Sequence, residues 1–335
     1  MKNFISVNDT NDIDALLAKA LQYKKRPYID ISEGTHKKIG LLFLNPSLRT
    51  RISTQVAAKN LGMETIVFNA DKEGWALEFA EGAVMNGSTV EHIKDAAPAL
   101  GSYFDILCVR SFPSLKNREE DYAETVLNAF IKYAGVPIVS LESATLHPLQ
   151  SLADLVTITE NLQDNPRILR PKVVLSWAPH IKPLPQCVAN SFSQWMNAWG
   201  KADFVITHPE GYELDDQFTK GALIMHDQNE ALKNADFVYV KNWSAYHDYG
   251  AMPGDHTDWM LTGKKLESSN DARIMHCLPV RRNVELSDEL LDGSNSLVTQ
   301  QAANRVWAAQ AVISEILTGG NTINNPAGRS RLLAQ

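Results

Sequence analysis

Short apolar runs alternate with longer amphipathic stretches along most of the chain. The runs are rich in β-branched residues and are bounded by polar or turn residues, which is typical of buried strands in a parallel sheet. They cover residues 38–44, 64–68, 105–109, 137–141, 172–177, 203–207, 236–240 and 272–275. Strands that alternate with helical stretches indicate βαβ units. The pattern therefore predicts an α/β protein with two α/β units, each with a parallel sheet.

The order of these elements also predicts the domains. A helical stretch near residues 148–161 separates the two sets of strands, so we expect residues 1–149 to form one domain and residues 150–300 a second. Residues 301–317 have apolar side chains on one helical face, and we expect this last helix to pack back on the first domain. Residues 318–335 are predicted to be a flexible tail.

The composition excludes several classes of protein. The 335 residues are 44% hydrophobic and 21% charged, which is typical of a globular chain. The net charge of −7 disfavours nonspecific binding to nucleic acid or to an anionic membrane, because both require a basic surface. No apolar stretch approaches the roughly eighteen residues of a membrane span, and the N-terminus lacks the apolar run of a signal peptide. We therefore expect a cytoplasmic protein that binds neither nucleic acid nor membrane.

Motifs for metals and nucleotide cofactors are missing from the sequence. None of the three cysteines has CxxC spacing, and no histidines form an HExxH pair. Gly82 and Gly87 have the spacing of a phosphate loop, but Ser88 stands where that motif requires lysine, and GxGxxG does not occur. We therefore expect neither a metal nor a cofactor, and a nicotinamide-dependent dehydrogenase is a weak alternative.

Groups that bind anions follow three of the predicted strands. A parallel α/β sheet binds ligands at the carboxyl ends of its strands. The segment 47–51 (SLRTR) follows the first strand, Arg110 the third, and His147 and Gln150 the fourth. Each has an ordinary interpretation as a helix cap, a surface ion pair or a loop side chain. Their coincidence instead indicates a phosphate site, because guanidinium groups at the start of a helix suit that anion.

The last predicted strand is followed by the segment 276–282 (HCLPVRR). Its Cys277 is a candidate nucleophile, but no neighbouring motif supplies a base. As an isolated thiol it is more often a small buried residue.

Taken together, these motifs resemble the aspartate/ornithine carbamoyltransferase family. The resemblance is carried in family order by SLRTR, Arg110, HPLQ (147–150), HCLP (276–279) and the QAANR segment that ends at Arg305. It implies two doubly wound domains of that family's type. Within the family, the chain is similar to the branch that acts on N-acylated ornithine. That similarity rests on the segments KEGWALEFAEGAVMNG, VRSFP, SWAPH and YVKNW.

Two departures from the family pattern stand out. Glu285 lies near the place where some N-acetylornithine enzymes have a lysine, and Ala303 replaces the glutamate of ENR-type relatives.

The resemblance implies transfer of the carbamoyl group of carbamoyl phosphate to the δ-amine of an N-acylornithine, in arginine biosynthesis. No covalent enzyme intermediate is needed, so electrostatic preorganisation should supply most of the rate. A noncatalytic anion-binding protein of the same family is the alternative. The implied carbamoyl phosphate residues are Ser47, Leu48, Arg49, Thr50, Arg51, Trp75, Arg110, His147, Gln150, Cys277, Leu278 and Arg305. Five of them would act in catalysis: Arg110, His147, Gln150, Cys277 and Leu278.

The resemblance also implies an N-acylornithine site and an oligomer. The site would be formed by Val90, Glu142, His180, Lys182, Lys241, Cys277, Leu278 and Arg282. The family is built of homotrimers, so Trp75 is expected to enter the active site of a neighbouring subunit. A cis bond between Leu278 and Pro279 is also expected, since it would turn a backbone carbonyl inward.

Val90 predicts the acyl group. Relatives specific for the acetyl compound have glutamate at the matching position, whereas succinyl-specific relatives have a nonacidic residue. A glutamate would repel the extra carboxylate of N-succinylornithine. We therefore expect N-succinylornithine as the substrate, with Lys182, Lys241 and the Arg281/Arg282 pair as the cations that could receive its extra carboxylate. N-acetylornithine is the alternative, if Glu91 supplies the acidic group through a one-residue shift.

Overall fold

The computed structural model describes residues 1–319 of the chain. Residues 320–335, most of the predicted flexible tail, lie outside the described part. The first half contains six strands. They are β1 (Lys38–Phe43), β2 (Glu64–Asn69), β3 (Leu77–Glu78), β4 (Glu91–His92), β5 (Ile106–Arg110) and β6 (Ile138–Glu142). Four of them form a parallel sheet in the order β2-β1-β5-β6, and β3 pairs with β4 in a separate parallel ribbon.

Five further strands form a second parallel sheet. They are β7 (Lys172–Trp177), β8 (Asp203–Thr207), β9 (Leu223–Met225), β10 (Phe237–Lys241) and β11 (Arg273–Met275). Their order is β11-β10-β7-β8-β9. The central strands of both sheets are almost fully buried, which explains their continuous apolar runs.

Helices cover the faces of the two sheets. Those of the first half are α1 (Ile13–Lys25), α2 (Arg49–Asn60), α3 (Ala70–Glu73), α4 (Ile93–Gly101), α5 (Arg118–Tyr122), α6 (Thr125–Tyr133) and α7 (Pro148–Asp164). Those of the second half are α8 (Cys187–Trp199), α9 (Asp216–Thr219), α10 (Gln228–Leu232), α11 (Asp288–Asp292) and α12 (Val298–Leu317). Short 3₁₀ turns cover Val7–Asp9, Thr257–Trp259 and Gly263–Leu266. No helix in the described residues is long and apolar enough to cross a bilayer.

Two helices connect the domains. Helix α7 starts with a proline at its first turn, where the missing N–H costs nothing, and runs from the first sheet toward the second. Helix α12 returns from the second sheet and packs against α1, α2 and α7. Leu152 of α7 and Val312 of α12 belong to one apolar core that includes residues of both sheets. The two domains therefore share a continuous hydrophobic contact.

The predicted fold class is confirmed, and all eight predicted strands occur with small shifts at their ends. The prediction missed the two-residue strands β3 and β4 and also β9, whose Leu223 and Ile224 are 58% and 39% exposed. A three-residue edge strand has too few residues to show a periodic pattern. Helix α12 begins at Val298, three residues before the predicted start. The domain limits at residue 149 fall inside the first turn of α7 and stay a prediction.

Candidate active site

A cleft of about 1000 Å³ lies where the carboxyl ends of the two sheets face each other. Fifteen of the residues proposed from the sequence line it. They are Ser47, Leu48, Arg49, Thr50, Arg51, Arg110, Glu142, His147, Gln150, His180, Lys182, Lys241, Cys277, Leu278 and Arg305. The lining combines many cations with one buried carboxylate, so the cleft suits an anionic ligand.

The segment 47–51 leads from β1 into the start of α2. Arg49 is the first residue of the helix, and no side chain caps its N-terminus. The ordinary interpretation of Ser47 as a helix cap therefore does not hold. Free backbone N–H groups and the positive end of the helix dipole face the cleft there, beside Arg49 and Arg51. This arrangement can bind a phosphate group.

Arg110 and His147 meet at a buried carboxylate. The guanidinium Nη1 of Arg110 pairs with Glu142 Oε2, and His147 Nε2 lies 3.4 Å from the same oxygen. Burial alone would raise the pKa of Glu142, but the charge of the Arg110 guanidinium holds it below its ordinary value. Burial, with help from Arg305 and Arg110, lowers the pKa of His147 to about 3. Glu142 is therefore ionised and His147 neutral at neutral pH.

Arg305 joins three helices at the bottom of the cleft. Its Nη1 donates to Gln150 Oε1 of α7 at 2.6 Å, and its Nη2 donates to the hydroxyl of Thr50 on α2. All three side chains are buried. The C-terminal helix thus supplies a cation to the part of the cleft formed by the first domain.

The loop after β11 presents Cys277 and Leu278 to the cleft. The Leu278–Pro279 bond is cis, as expected from the sequence. His276 Nδ1 accepts from the backbone N–H of Leu278 at 2.9 Å, and its Nε2 lies 3.3 Å from Glu285 Oε1. Leu278 is held at a φ of 58°, an uncommon value for a residue other than glycine. The buried His276–Glu285 pair therefore fixes the backbone at the position expected to face the attacking amine.

The chemistry of Cys277 does not favour a nucleophile. Its side chain is buried, and burial raises the pKa of the thiol above its ordinary value. A protonated thiol is a poor nucleophile. The site thus agrees with a reaction that needs no covalent enzyme intermediate.

The outer part of the cleft has cations from the second domain. Lys241 ends β10 and is buried, whereas Lys182 is exposed. Arg281 also lines the cleft, and its Nε donates to His180 Nε2 at 3.1 Å. Burial lowers the pKa of His180, which fits its role as an acceptor from Arg281.

Arg282 does not line the cleft, contrary to the sequence-based expectation. Its guanidinium points the other way, where it pairs with Asp288 at 2.9 Å and Asp292 at 2.7 Å. The adjacent Arg281 lies in the cleft instead. The sequence could not show which of the two adjacent arginines faces the cleft, because loop residues have no periodic pattern. Lys72 and Cys187, which also line the cleft, were missed. Lys72 could have been found, because it follows the carboxyl end of β2.

Trp75 and Val90 lie outside the cleft of their own chain. They are 56% and 64% exposed and flank the β3–β4 ribbon. Trp75 Nε1 donates to Glu91 Oε2 at 2.7 Å, and the backbone N–H of Val90 donates to Ala76 at 2.8 Å. Their expected roles in a neighbouring subunit's site stay predictions. Among the described residues, no group of His, Cys, Asp and Glu has a metal-binding arrangement.

Two family models match most of the chain. The aspartate/ornithine carbamoyltransferase carbamoyl-P binding domain matches residues 2–160, and the Asp/Orn binding domain of the same family matches residues 186–316. Together with the fold and the cation-lined cleft, these matches define the class. The chain belongs to the aspartate/ornithine carbamoyltransferase family and is a carbamoyltransferase.

Individual relatives lie in the N-acylornithine branch. The chain is 46% identical over 321 residues to the N-succinylornithine carbamoyltransferase of Bacteroides thetaiotaomicron, covering 95% of this chain and 99% of the relative. It is 32% identical over 336 residues to the N-acetylornithine carbamoyltransferase of Xanthomonas campestris pv. campestris, covering 95% and 98%.

A solved structure of an N-acetyl-L-ornithine transcarbamylase mutant, complexed with carbamyl phosphate and N-succinyl-L-norvaline, is similar with a TM-score of 0.88. It is 33% identical to this chain, and the match covers 94% of this chain and 100% of the other.

Proposed function

We propose that the enzyme transfers the carbamoyl group of carbamoyl phosphate to the δ-amine of N-succinyl-L-ornithine. The products are N-succinyl-L-citrulline and phosphate, as a step of arginine biosynthesis in the cytoplasm. The observation that carries the proposal is the buried arrangement of Arg110, Gln150 and Arg305 beside the free N-terminus of α2. The 46% identity to succinyl enzymes, against 32% for acetyl enzymes, favours the succinyl compound.

The phosphate of carbamoyl phosphate binds at the start of α2 in this proposal. The backbone N–H groups of 48–51 and the guanidinium groups of Arg49 and Arg51 neutralise it. Arg110 lines the same cleft, and its ion pair with Glu142 fixes one side of its guanidinium. Such preorganised donors stabilise the negative charge that develops on the departing phosphate.

The neutral δ-amine attacks the carbamoyl carbon. A carbon–nitrogen bond forms and the bond from carbon to the phosphate oxygen breaks, while the amine proton ends on the released phosphate. Negative charge grows on the carbonyl oxygen, where Thr50 and Arg110 donate hydrogen bonds, and His147 lines the same part of the cleft. Gln150 and the Leu278 carbonyl orient the carbamoyl amide, and the Cys277–Leu278 loop accepts from the amine.

The acyl group occupies the outer part of the cleft. Lys182 and Arg281 are exposed cations there, next to His180. A second carboxylate on the acyl group matches them, whereas an acetyl group offers no charge for them to bind. Arg282 is not a candidate, because two aspartates already pair with it.

A homotrimer with shared active sites completes the proposal. Trp75 and Val90 lie on an exposed segment outside their own cleft, so a neighbouring subunit's cleft is where they would act. Trp75 would then contact carbamoyl phosphate and Val90 the acyl group. Sedimentation with activity measured at the same dilution tests this arrangement, and full activity of a demonstrated monomer would contradict it.

A product assay tests the function directly. Carbamoyl phosphate is supplied with N-succinylornithine, N-acetylornithine, ornithine or aspartate, and the citrulline-type product is quantified. The highest kcat/KM is expected for N-succinylornithine. A higher value for N-acetylornithine would favour the second candidate, which the presence of Glu91 next to Val90 supports. Phosphate binding without product from any acceptor would indicate a noncatalytic protein.

A further inference from the structure

A buried carboxylate beneath the cleft contacts both sides of the active site. Asp154 lies on α7, one helical turn after Gln150, and is completely buried. Its Oδ1 accepts from the amide Nε2 of Gln150 and from that of Gln301, each at 2.7 Å. An ionised carboxylate can only accept hydrogen bonds, so both amides turn their NH₂ groups toward it.

Each amide oxygen is thereby directed to another part of the site. Gln150 Oε1 accepts from Arg305 on the carbamoyl phosphate side. Gln301 Oε1 accepts at 2.9 Å from the backbone N–H of His276, the residue before Cys277. One carboxylate therefore orients a side chain that lines the cleft and the start of the loop that faces the amine.

We propose that ionised Asp154 is a positioning residue that aligns the carbamoyl group with the attacking amine. It does so through the Gln150 amide on one side and the Cys277 loop on the other, and this role rests on the function proposed above. Protonation would give the carboxyl group a hydrogen to donate. Both amides could then turn, and the two sides of the site would lose their common anchor.

The groups around Asp154 determine the pH at which it ionises. Burial raises the pKa of Asp154 to about 7, against the opposing effects of the two amides, Arg305 and the Tyr239 hydroxyl. Burial also raises the pKa of Tyr239 and of Cys277, which face it from β10 and from the loop after β11. Arg305 faces it from α12 and stays charged. Among these four groups, Asp154 is the one that changes charge near neutral pH.

The pH profile of Asp154→Asn tests the role. The need for a neutral amine alone gives log kcat/KM for the acylornithine a slope of about one against pH. In the unaltered enzyme, ionisation of Asp154 should raise that slope to about two below pH 7. The variant should lose roughly 10- to 100-fold in kcat/KM above pH 7 and show a slope of about one below it.

Two further variants separate positioning from folding. Gln301→Met removes the hydrogen bonds from Gln301 to Asp154 and to His276 but keeps Asp154 and its bond to Gln150, so we expect a loss of several-fold with the steeper slope retained. Ile158→Val is a buried substitution one turn further along α7 that removes one methyl group and no hydrogen bond, and it should change neither rate nor slope. Thermal unfolding is measured for each variant.

The outcomes distinguish this inference from the proposed function. A wild-type rate together with a slope of two in Asp154→Asn would overturn the positioning role. If Asp154→Asn does not fold, wild-type activity in Gln301→Met overturns the role equally. Failure of the unaltered enzyme to form any acylcitrulline would instead overturn the function itself.

Discussion

The two sides of the cleft differ in how firmly they are built. On the carbamoyl phosphate side, Arg110, Gln150 and Arg305 are buried. Arg305 donates a hydrogen bond to Gln150, and Arg110 pairs with the buried Glu142. On the acylornithine side, Lys182 and Arg281 are exposed, and Arg281 is held by one hydrogen bond to a neutral histidine. A rigid side suits catalysis, because charges that are already in place stabilise the transition state. A looser side suits discrimination among acyl groups, where the polar contacts differ between substrates.

Of the substitutions considered, removal of Arg110 from the rigid side should lower activity most. We expect Arg110→Ala to lower kcat/KM by about 100- to 1000-fold, because a charged donor is lost from a preorganised site. From the sequence alone this variant would be expected to stay folded. The structure instead places Arg110 against Glu142, so the variant leaves a buried carboxylate without its main partner.

The stability of that variant should therefore fall, by about 3 to 5 kcal/mol in the free energy of unfolding. Denaturant titration measures it beside the kinetics. Adding Glu142→Gln should recover stability but not turnover. An active single variant would show that Arg110 does not act on the substrate.

Val90→Glu should shift the acyl preference toward N-acetylornithine. Two like charges about 4 Å apart at an effective dielectric near 20 repel by roughly 4 kcal/mol, which sets the upper limit of the effect. Because Val90 is exposed, we expect a smaller shift of about 10- to 100-fold in the ratio of kcat/KM values. The two substrates are compared on the same preparation, with Val90→Gln as the uncharged control. An unchanged ratio would remove Val90 from the acyl site.

Arg281→Ala should affect the looser side alone. We expect KM for N-succinylornithine to rise about tenfold through loss of a charge-assisted hydrogen bond, with KM for carbamoyl phosphate unchanged. The measurement is a pair of saturation curves, one for each substrate. A parallel rise in both constants would mean that the two sides are mechanically coupled.

Arg282→Ala is the matched neighbour and should have the smallest effect. Its ion pairs with Asp288 and Asp292 are exposed and screened by solvent, so we expect almost no change in the midpoint of thermal unfolding. Kinetic constants should stay within about twofold of the wild-type values. A substrate-specific rise in KM larger than that of Arg281→Ala would reverse the assignment of the two arginines.

The sequence predicted the rigid side better than the looser one. The residues after β1, β5 and β6 could be placed together because parallel strands end at one edge of a sheet. Arg281 and Arg282 share a loop without periodicity, so only the hydrogen bonds to His180 and to the aspartates separate them. Glu285 was noticed as a departure from relatives, but its pairing with His276 depends on tertiary packing. Local sequence patterns do not encode such contacts.

The return of α12 to the first domain makes the order of synthesis matter for activity. Residues 1–160 can be made long before Arg305 leaves the ribosome, yet Thr50 and Gln150 both bond to that arginine. A nascent chain that ends before Val298 would thus carry the phosphate-binding helix without the cation that connects it to α7. It would also expose the apolar faces of α1, α2 and α7 that α12 covers. Catalytic competence should therefore arise late, and not before this last helix docks.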